Sequence, residues 1–154
     1  MALGLGMEVL AYDVYDFETE IELNLAGGVN VKVPVKKAGL DELLRESDFI
    51  TLHIPFVDKA VLGKEEFEKI KKGAGVVNCA RGGAIDELAL IEALDSGKVA
   101  FAGLDVFDDE PTPRQEILSH PKISLTPHIG AATNEAQERI GVELANLIID
   151  FFKK

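Results

Sequence analysis

Between residues 41 and 125 the chain alternates short apolar runs with stretches of helical period, and this alternation restricts the fold more than any other feature. Asp41–Arg45 reads as a short helix and Phe49–His53 as a strand. Lys64–Lys71 reads as a helix stopped by Gly73, with a strand at Gly75–Asn78. Asp86 is placed to cap a helix that carries Leu88, Ile91 and Leu94 on one face and ends at Gly97. Val99–Leu104 and Ile123–Leu125 follow as strands. Strands and helices at βαβ intervals predict an α/β fold with a mainly parallel sheet. Upstream, the apolar run Met7–Asp13 reads as a buried strand. Glu18–Leu25 and Val29–Val35 alternate with period two across Gly27-Gly28, the pattern of a β-hairpin. Downstream, a helix starts near Thr133–Asn134, with Gln137 placed to close a capping box. Ile140, Leu144, Leu147, Ile148 and Phe151 then recur at helical spacing.

Composition narrows the function. With 154 residues, 47% of them hydrophobic, the chain can bury one real core. A formal charge of -11 argues against non-specific nucleic-acid binding, which needs a basic footprint. It leaves room for an anionic substrate, because a few local cations decide that. No apolar run approaches the roughly 18 residues of a membrane span, and the N-terminus does not read as a signal peptide. The single cysteine excludes an internal disulfide and fits a reducing cytoplasm. No His/Cys cluster has metal-ligand spacing, so no metal site is expected.

In a parallel sheet, ligands bind at the carboxyl ends of the strands. Asp13, His53-Ile54-Pro55, Cys79-Ala80-Arg81-Gly82-Gly83, Asp105-Val106-Phe107 and Thr126-Pro127-His128-Ile129-Gly130 stand at those ends. Each has a plain structural reading. An acid after a strand is most often a cap or turn residue, and His53 fits a residue satisfying a loop carbonyl. Gly82-Gly83 fits turn chemistry, and Cys79 reads first as a small buried apolar residue. Arg81, Glu110 and His128 make the sharper set. A guanidinium can grip a carboxylate in two places, an imidazole can take a hydroxyl proton, and a carboxylate behind the imidazole would fix its tautomer. Those are the needs of a 2-hydroxy acid losing hydride.

The stretches VNCARGGAIDELALIEAL, VAFAGLDVFDDEP and ISLTPHIGAATNEAQERIG closely resemble the signatures of D-3-phosphoglycerate dehydrogenases within the D-2-hydroxy-acid dehydrogenase family. GLGMEVLAYD, LDELLRESDFITLHIP and GKEEFEKIKKGAGVVN follow the same pattern. The resemblance covers essentially all the chain except the hairpin at 18–35, which it implies is an insertion. It implies reversible hydride transfer between NAD and a 2-hydroxy acid, D-3-phosphoglycerate first, as in serine biosynthesis. Arg81 then matches the arginine that holds the substrate carboxylate, Glu110 the acid partner and His128 the acid/base histidine. Asp13 matches the acid that accepts from the adenosine ribose. Pro55, Cys79, Asp105 and the backbone at Ile129-Gly130-Ala131 match positions lining the nicotinamide half.

One element of the family pattern is missing. The phosphate-binding G-x-G-x-x-G is absent, since Gly4-Leu5-Gly6 precedes a strand and not a helix. Aligned to the family, MALGLG is the tail of the helix that the fingerprint opens. Residues 1–132 are thus expected to form a truncated NAD-binding domain, an incomplete Rossmann-like sheet. Residues 133–154 form a C-terminal helix that in relatives packs towards a substrate domain. Without the central strand, sheet edges are left open, and a homo-oligomer is expected. Weak NAD binding and little activity of the isolated chain follow. An inactive remnant that only folds and associates is the competing function; a flavodoxin-like module explains none of Arg81, Glu110 and His128.

Overall fold

The computed structural model describes residues 1–56 and 58–153. The expected α/β architecture is present: a four-stranded parallel sheet, an antiparallel hairpin and a C-terminal helix. The sheet runs in the order β3 (Phe49–Leu52), β4 (Ala74–Asn78), β5 (Val99–Leu104), β6 (Ile123–Leu125). The hairpin joins β1 (Glu18–Leu25) to β2 (Val29–Lys36) through Gly27 and Gly28, both in the left-handed region. That conformation is open to glycine without steric cost.

Helices α1 (Leu40–Glu46), α2 (Lys64–Lys69) and α3 (Glu87–Asp95) link the strands. α1 and α2 begin alike: Glu42 and Glu66 each accept the N–H of the glycine preceding their helix, Gly39 and Gly63. α3 starts on the side chain of Asp86, which accepts the N–H groups of Leu88 and Ala89 at 3.0 Å. The core lies against one sheet face, where Ile50, Leu52, Val76, Ala102 and Leu104 meet Leu44, Phe67, Leu90 and Leu94. On the opposite face Phe49 and Phe101 touch each other at 6.2 Å between ring centres and remain 58% and 43% exposed. Gly75 permits this, because a Cβ there would collide with the Phe101 ring.

Among these elements the structure corrects three sequence expectations and adds one helix. Met7–Asp13 is not a buried strand: it is exposed except at the half-buried Ala11, the one residue of it seen to pair among the described residues, in a bridge with Lys37. A strand needs a ladder along its length, and among the described residues only this corner offers one. On α3 the buried face is Ala89, Leu90, Ala93 and Leu94, while Leu88 is 54% exposed. Helix α4 (Gln115–Ser119) has no counterpart in the sequence reading, because five residues are too few to show a helical period. Gln137 does not close a capping box. Thr133 caps α5 (Asn134–Phe152) by accepting the Ala136 N–H, and the Gln137 amide reaches back to the Ala131 carbonyl. No residue of α5 is buried.

The α3 correction carries a measurable consequence. Leu90→Ala should cost about 2–5 kcal/mol in denaturant unfolding, as for other fully buried leucines. Leu88→Ala should stay within about 0.5 kcal/mol of the parent. Equal losses would contradict this packing.

Candidate active site

Because β3 to β6 are parallel, the loops leaving their carboxyl ends share one edge of the sheet. After β4, the buried Asn78 ties its own turn: its carbonyl accepts the Ala80 N–H and its amide donates to the Arg81 carbonyl, both at 3.0 Å. Gly82 lies so close to the Phe107 carbonyl that a Cβ would overlap it. The Gly83 N–H reaches the Asp108 carboxylate at 2.7 Å. The turns after β4 and β5 are therefore packed on each other.

Asp105, at the end of β5, is 3% exposed. Its carboxylate accepts the Thr126 hydroxyl at 2.5 Å and the N–H groups of Ile129 and Gly130 at 2.8 Å each. Burial acts to raise its pKa. The hydrogen bonds from Thr126, Ile129 and Gly130, with the nearby His128, outweigh burial and hold the carboxyl below its ordinary value. This clasp bends the loop after β6 so that His128 takes a left-handed φ of 53°, an uncommon conformation for a residue with a side chain.

There the His128 Nδ1 meets the Glu110 carboxylate at 2.7 Å. The other Glu110 oxygen accepts the Phe107 N–H at 3.0 Å. The His128 contact first, then the Phe107 N–H, holds Glu110 below the usual carboxylate range. An ionised carboxylate only accepts, so Nδ1 carries the hydrogen of this contact and Nε2 is left for other chemistry. The pair borders a cavity of about 480 Å³ whose other walls are Phe107, Pro111, Pro113, Leu118, Leu125, Thr126 and Pro127.

The remaining sequence candidates are not joined to this pair by any polar contact among the described residues. The Arg81 guanidinium turns back to the Ala80 carbonyl at 2.6 Å. Asp13 accepts the Tyr15 N–H at 3.0 Å and lies exposed. Pro55 is exposed after β3. Cys79 is an exposed free thiol and not a buried apolar residue, because its neighbours Asn78 and Ala80 take the inward positions. The N–H groups of Ile129 and Gly130 are spent on Asp105, and the Ala131 carbonyl on Gln137. The other two imidazoles have separate partners. His53 lies 3.1 Å from the Thr51 hydroxyl, not on a loop carbonyl. His120 accepts the Lys122 N–H and faces Asp95.

Sequence reasoning missed the Thr126 hydroxyl as a ligand of Asp105, and it missed Glu87. Glu87 is buried in the first turn of α3, accepts the Asp108 N–H at 3.0 Å and is pushed up in pKa by burial. It is one of 27 acids, and first-turn acids are ordinarily surface residues, so nothing in its spacing marks it.

A one-way α/β sheet with its polar side chains gathered at the carboxyl edge defines a Rossmann-like ligand-binding domain. Residues 1–130 match the family described as D-isomer specific 2-hydroxyacid dehydrogenase, NAD binding domain, and the chain belongs to it. NAD is the cofactor of this domain family, whose members are oxidoreductases. Hydroxypyruvate reductase of Thermotoga maritima is 45% identical over 152 residues, covering 96% of this chain and 46% of the relative. D-3-phosphoglycerate dehydrogenase of Bacillus subtilis is 39% identical over 154 residues, covering 99% and 28%. Among solved structures, the holo form of D-mandelate dehydrogenase of Rhodotorula graminis superposes with a TM-score of 0.72 at 33% identity, over 88% of this chain and 38% of that one. The chain spans less than half the length of each of these relatives.

The two depressed carboxyls fix a sign for acid stability. A carboxyl whose folded pKa lies below its unfolded value stabilises the fold above the unfolded pKa, about 3.9 for Asp. That contribution is lost as pH falls through the folded value. Asp105→Asn should therefore be less stable than the parent near neutral pH, and the difference in melting temperature should shrink below about pH 4. A gap that stays constant into strong acid would contradict the assigned hydrogen bonds.

Proposed function

We propose that this domain serves an NAD-dependent dehydrogenase of D-2-hydroxy acids, with D-3-phosphoglycerate as first substrate, and that Arg81, Glu110 and His128 carry the reaction. The observation that carries the reading is the 2.7 Å contact between Glu110 and the Nδ1 of His128 at the carboxyl edge of the sheet. The D-3-phosphoglycerate dehydrogenase relatives support the substrate.

The residues present fit the nicotinamide and ribose ends of the cofactor. Asp105 has about four lone-pair sites and three hydrogen bonds, which leaves one for an amide donor. Pro55, Cys79 and the backbone of Ile129, Gly130 and Ala131 sit at the same edge, and the exposed Asp13 can accept from ribose hydroxyls. When bound, NAD supplies the hydride acceptor. Arg81, free of any carboxylate partner among the described residues, swings from the Ala80 carbonyl to hold the substrate carboxylate. His128 takes the hydroxyl proton at Nε2 while Glu110, kept ionised, balances the imidazolium that results.

Assay of the complete dehydrogenase that carries this domain, with NAD and a panel of D-2-hydroxy acids, tests this. His128→Asn should lower kcat about 10²–10⁴-fold, with Glu110→Gln costing less. Arg81→Lys should mainly raise the substrate KM, since an ammonium cannot reproduce the planar fork. Full activity of His128→Asn would overturn the assignment.

The uncovered apolar surface of α5 favours a second role beside the first. Residues 133–152 present Ile140, Leu144, Leu147, Ile148 and Phe151 to solvent, so this helix is a contact arm separate from the domain at 1–132. We infer association into a dimer or larger assembly through α5 or the bare sheet face. Light scattering should give at least twice the monomer mass; a monomer at high concentration would exclude it. No helix among the described residues is long and apolar enough to cross a membrane. The free Cys79 thiol suits the cytoplasm.

A further inference from the structure

Glu87 is an unusual residue to find buried. Its side chain is 5% exposed, one oxygen holds the Asp108 N–H, and the other has no hydrogen-bond partner among the described residues and lies 3.4 Å from the Arg114 guanidinium. Burial pushes its pKa up despite the Asp108 N–H and Arg114. A carboxylate held this way costs desolvation that a well-packed apolar residue would avoid.

What the carboxylate holds explains its position. The Asp108 backbone is fixed by Glu87, while the Asp108 side chain fixes the Gly83 N–H at 2.7 Å. Gly82 rests on the Phe107 carbonyl, and the Phe107 N–H holds Glu110. Glu110 in turn meets His128. Hydrogen bonds, joined by the backbone contact of Gly82 on Phe107, thus connect the first turn of α3 and the turn next to Arg81 to the imidazole.

We propose that Glu87 is a positioning residue for the hydride-transfer site: by fixing Asp108 it sets the spacing between Arg81 and the Glu110–His128 pair. This rests on the roles given above to those three residues. Glu87 touches neither substrate nor cofactor; its influence passes through Asp108, which contacts the Arg81 turn directly. Loss of the tie lets the guanidinium drift from the imidazole, and displacements near 1 Å at a reacting centre can cost on the order of a hundredfold in rate.

The test uses the enzymatically active protein. Glu87→Met nearly keeps the volume and relieves the desolvation of the carboxylate but leaves the Asp108 N–H without its acceptor, so melting temperature should fall by only a few degrees and the fold should persist. The kcat/KM for the 2-hydroxy acid should nevertheless fall about ten- to a hundredfold, chiefly through substrate KM. The KM for NAD should stay unchanged. Glu87→Gln keeps an acceptor for the Asp108 N–H and should recover most of the loss. Asp108→Ala, at an exposed position, should reproduce the Glu87→Met kinetics, and the two together should be no worse than either. Wild-type kcat/KM in Glu87→Met or Asp108→Ala overturns the proposal, as does a loss that tracks melting temperature. Arg81→Lys and His128→Asn are run in parallel. If they retain full activity, the underlying reading falls and this role with it; if they lose activity while Glu87→Met does not, only this role falls.

Discussion

A carboxylate removed from water at the end of β5 takes three hydrogen bonds from the segment after β6, and most of the site geometry follows from that clasp. Burial disfavours a charged Asp105; Thr126, Ile129 and Gly130 supply the donors that make the charge tolerable. To deliver two consecutive N–H groups to one carboxylate, the chain must curl, and the curl puts His128 in the left-handed region. Strain of this kind persists only where surroundings over-determine it. The imidazole is turned by the same curl towards Glu110, whose other oxygen is held by Phe107 two residues after Asp105.

The sheet supplies what a clasp cannot. Parallel pairing brings the ends of β3 to β6 to one edge, so residues 79, 105 and 126, distant in sequence, leave the sheet side by side. Glycine at 82 lets the turns after β4 and β5 come into backbone contact. The same sheet is packed on one face only, with Phe49 and Phe101 exposed on the other and α5 standing free. Parallel sheets ordinarily bury both faces, so this sheet face and α5 are apolar surface that the domain itself leaves uncovered.

Much of the scaffold was legible because local pattern and fold agree. Phe49–Leu52, Val99–Leu104 and Ile123–Leu125 are apolar runs of strand length, and Asp86 stands where an N-cap belongs. Where reading failed, the cause was tertiary. Met7–Asp13 has strand composition, but a strand is made by its neighbours, and among the described residues one bridge at Ala11 is all it finds. Leu88 and Leu90 are equally apolar, and the face that α3 turns to the core decides that Leu90 is buried.

From the sequence alone came the α/β class, the hairpin, the strand-end inventory and the family, because periodicity and motif spacing are properties of a line of residues. The meeting of Glu110 with His128, 18 positions apart, and the burial of Glu87 beneath Asp108 were decided by the tertiary structure. Distances between loops depend on strand register and on close backbone approach, as at Gly82 and Phe107. Those are set by packing in three dimensions, which no local pattern encodes.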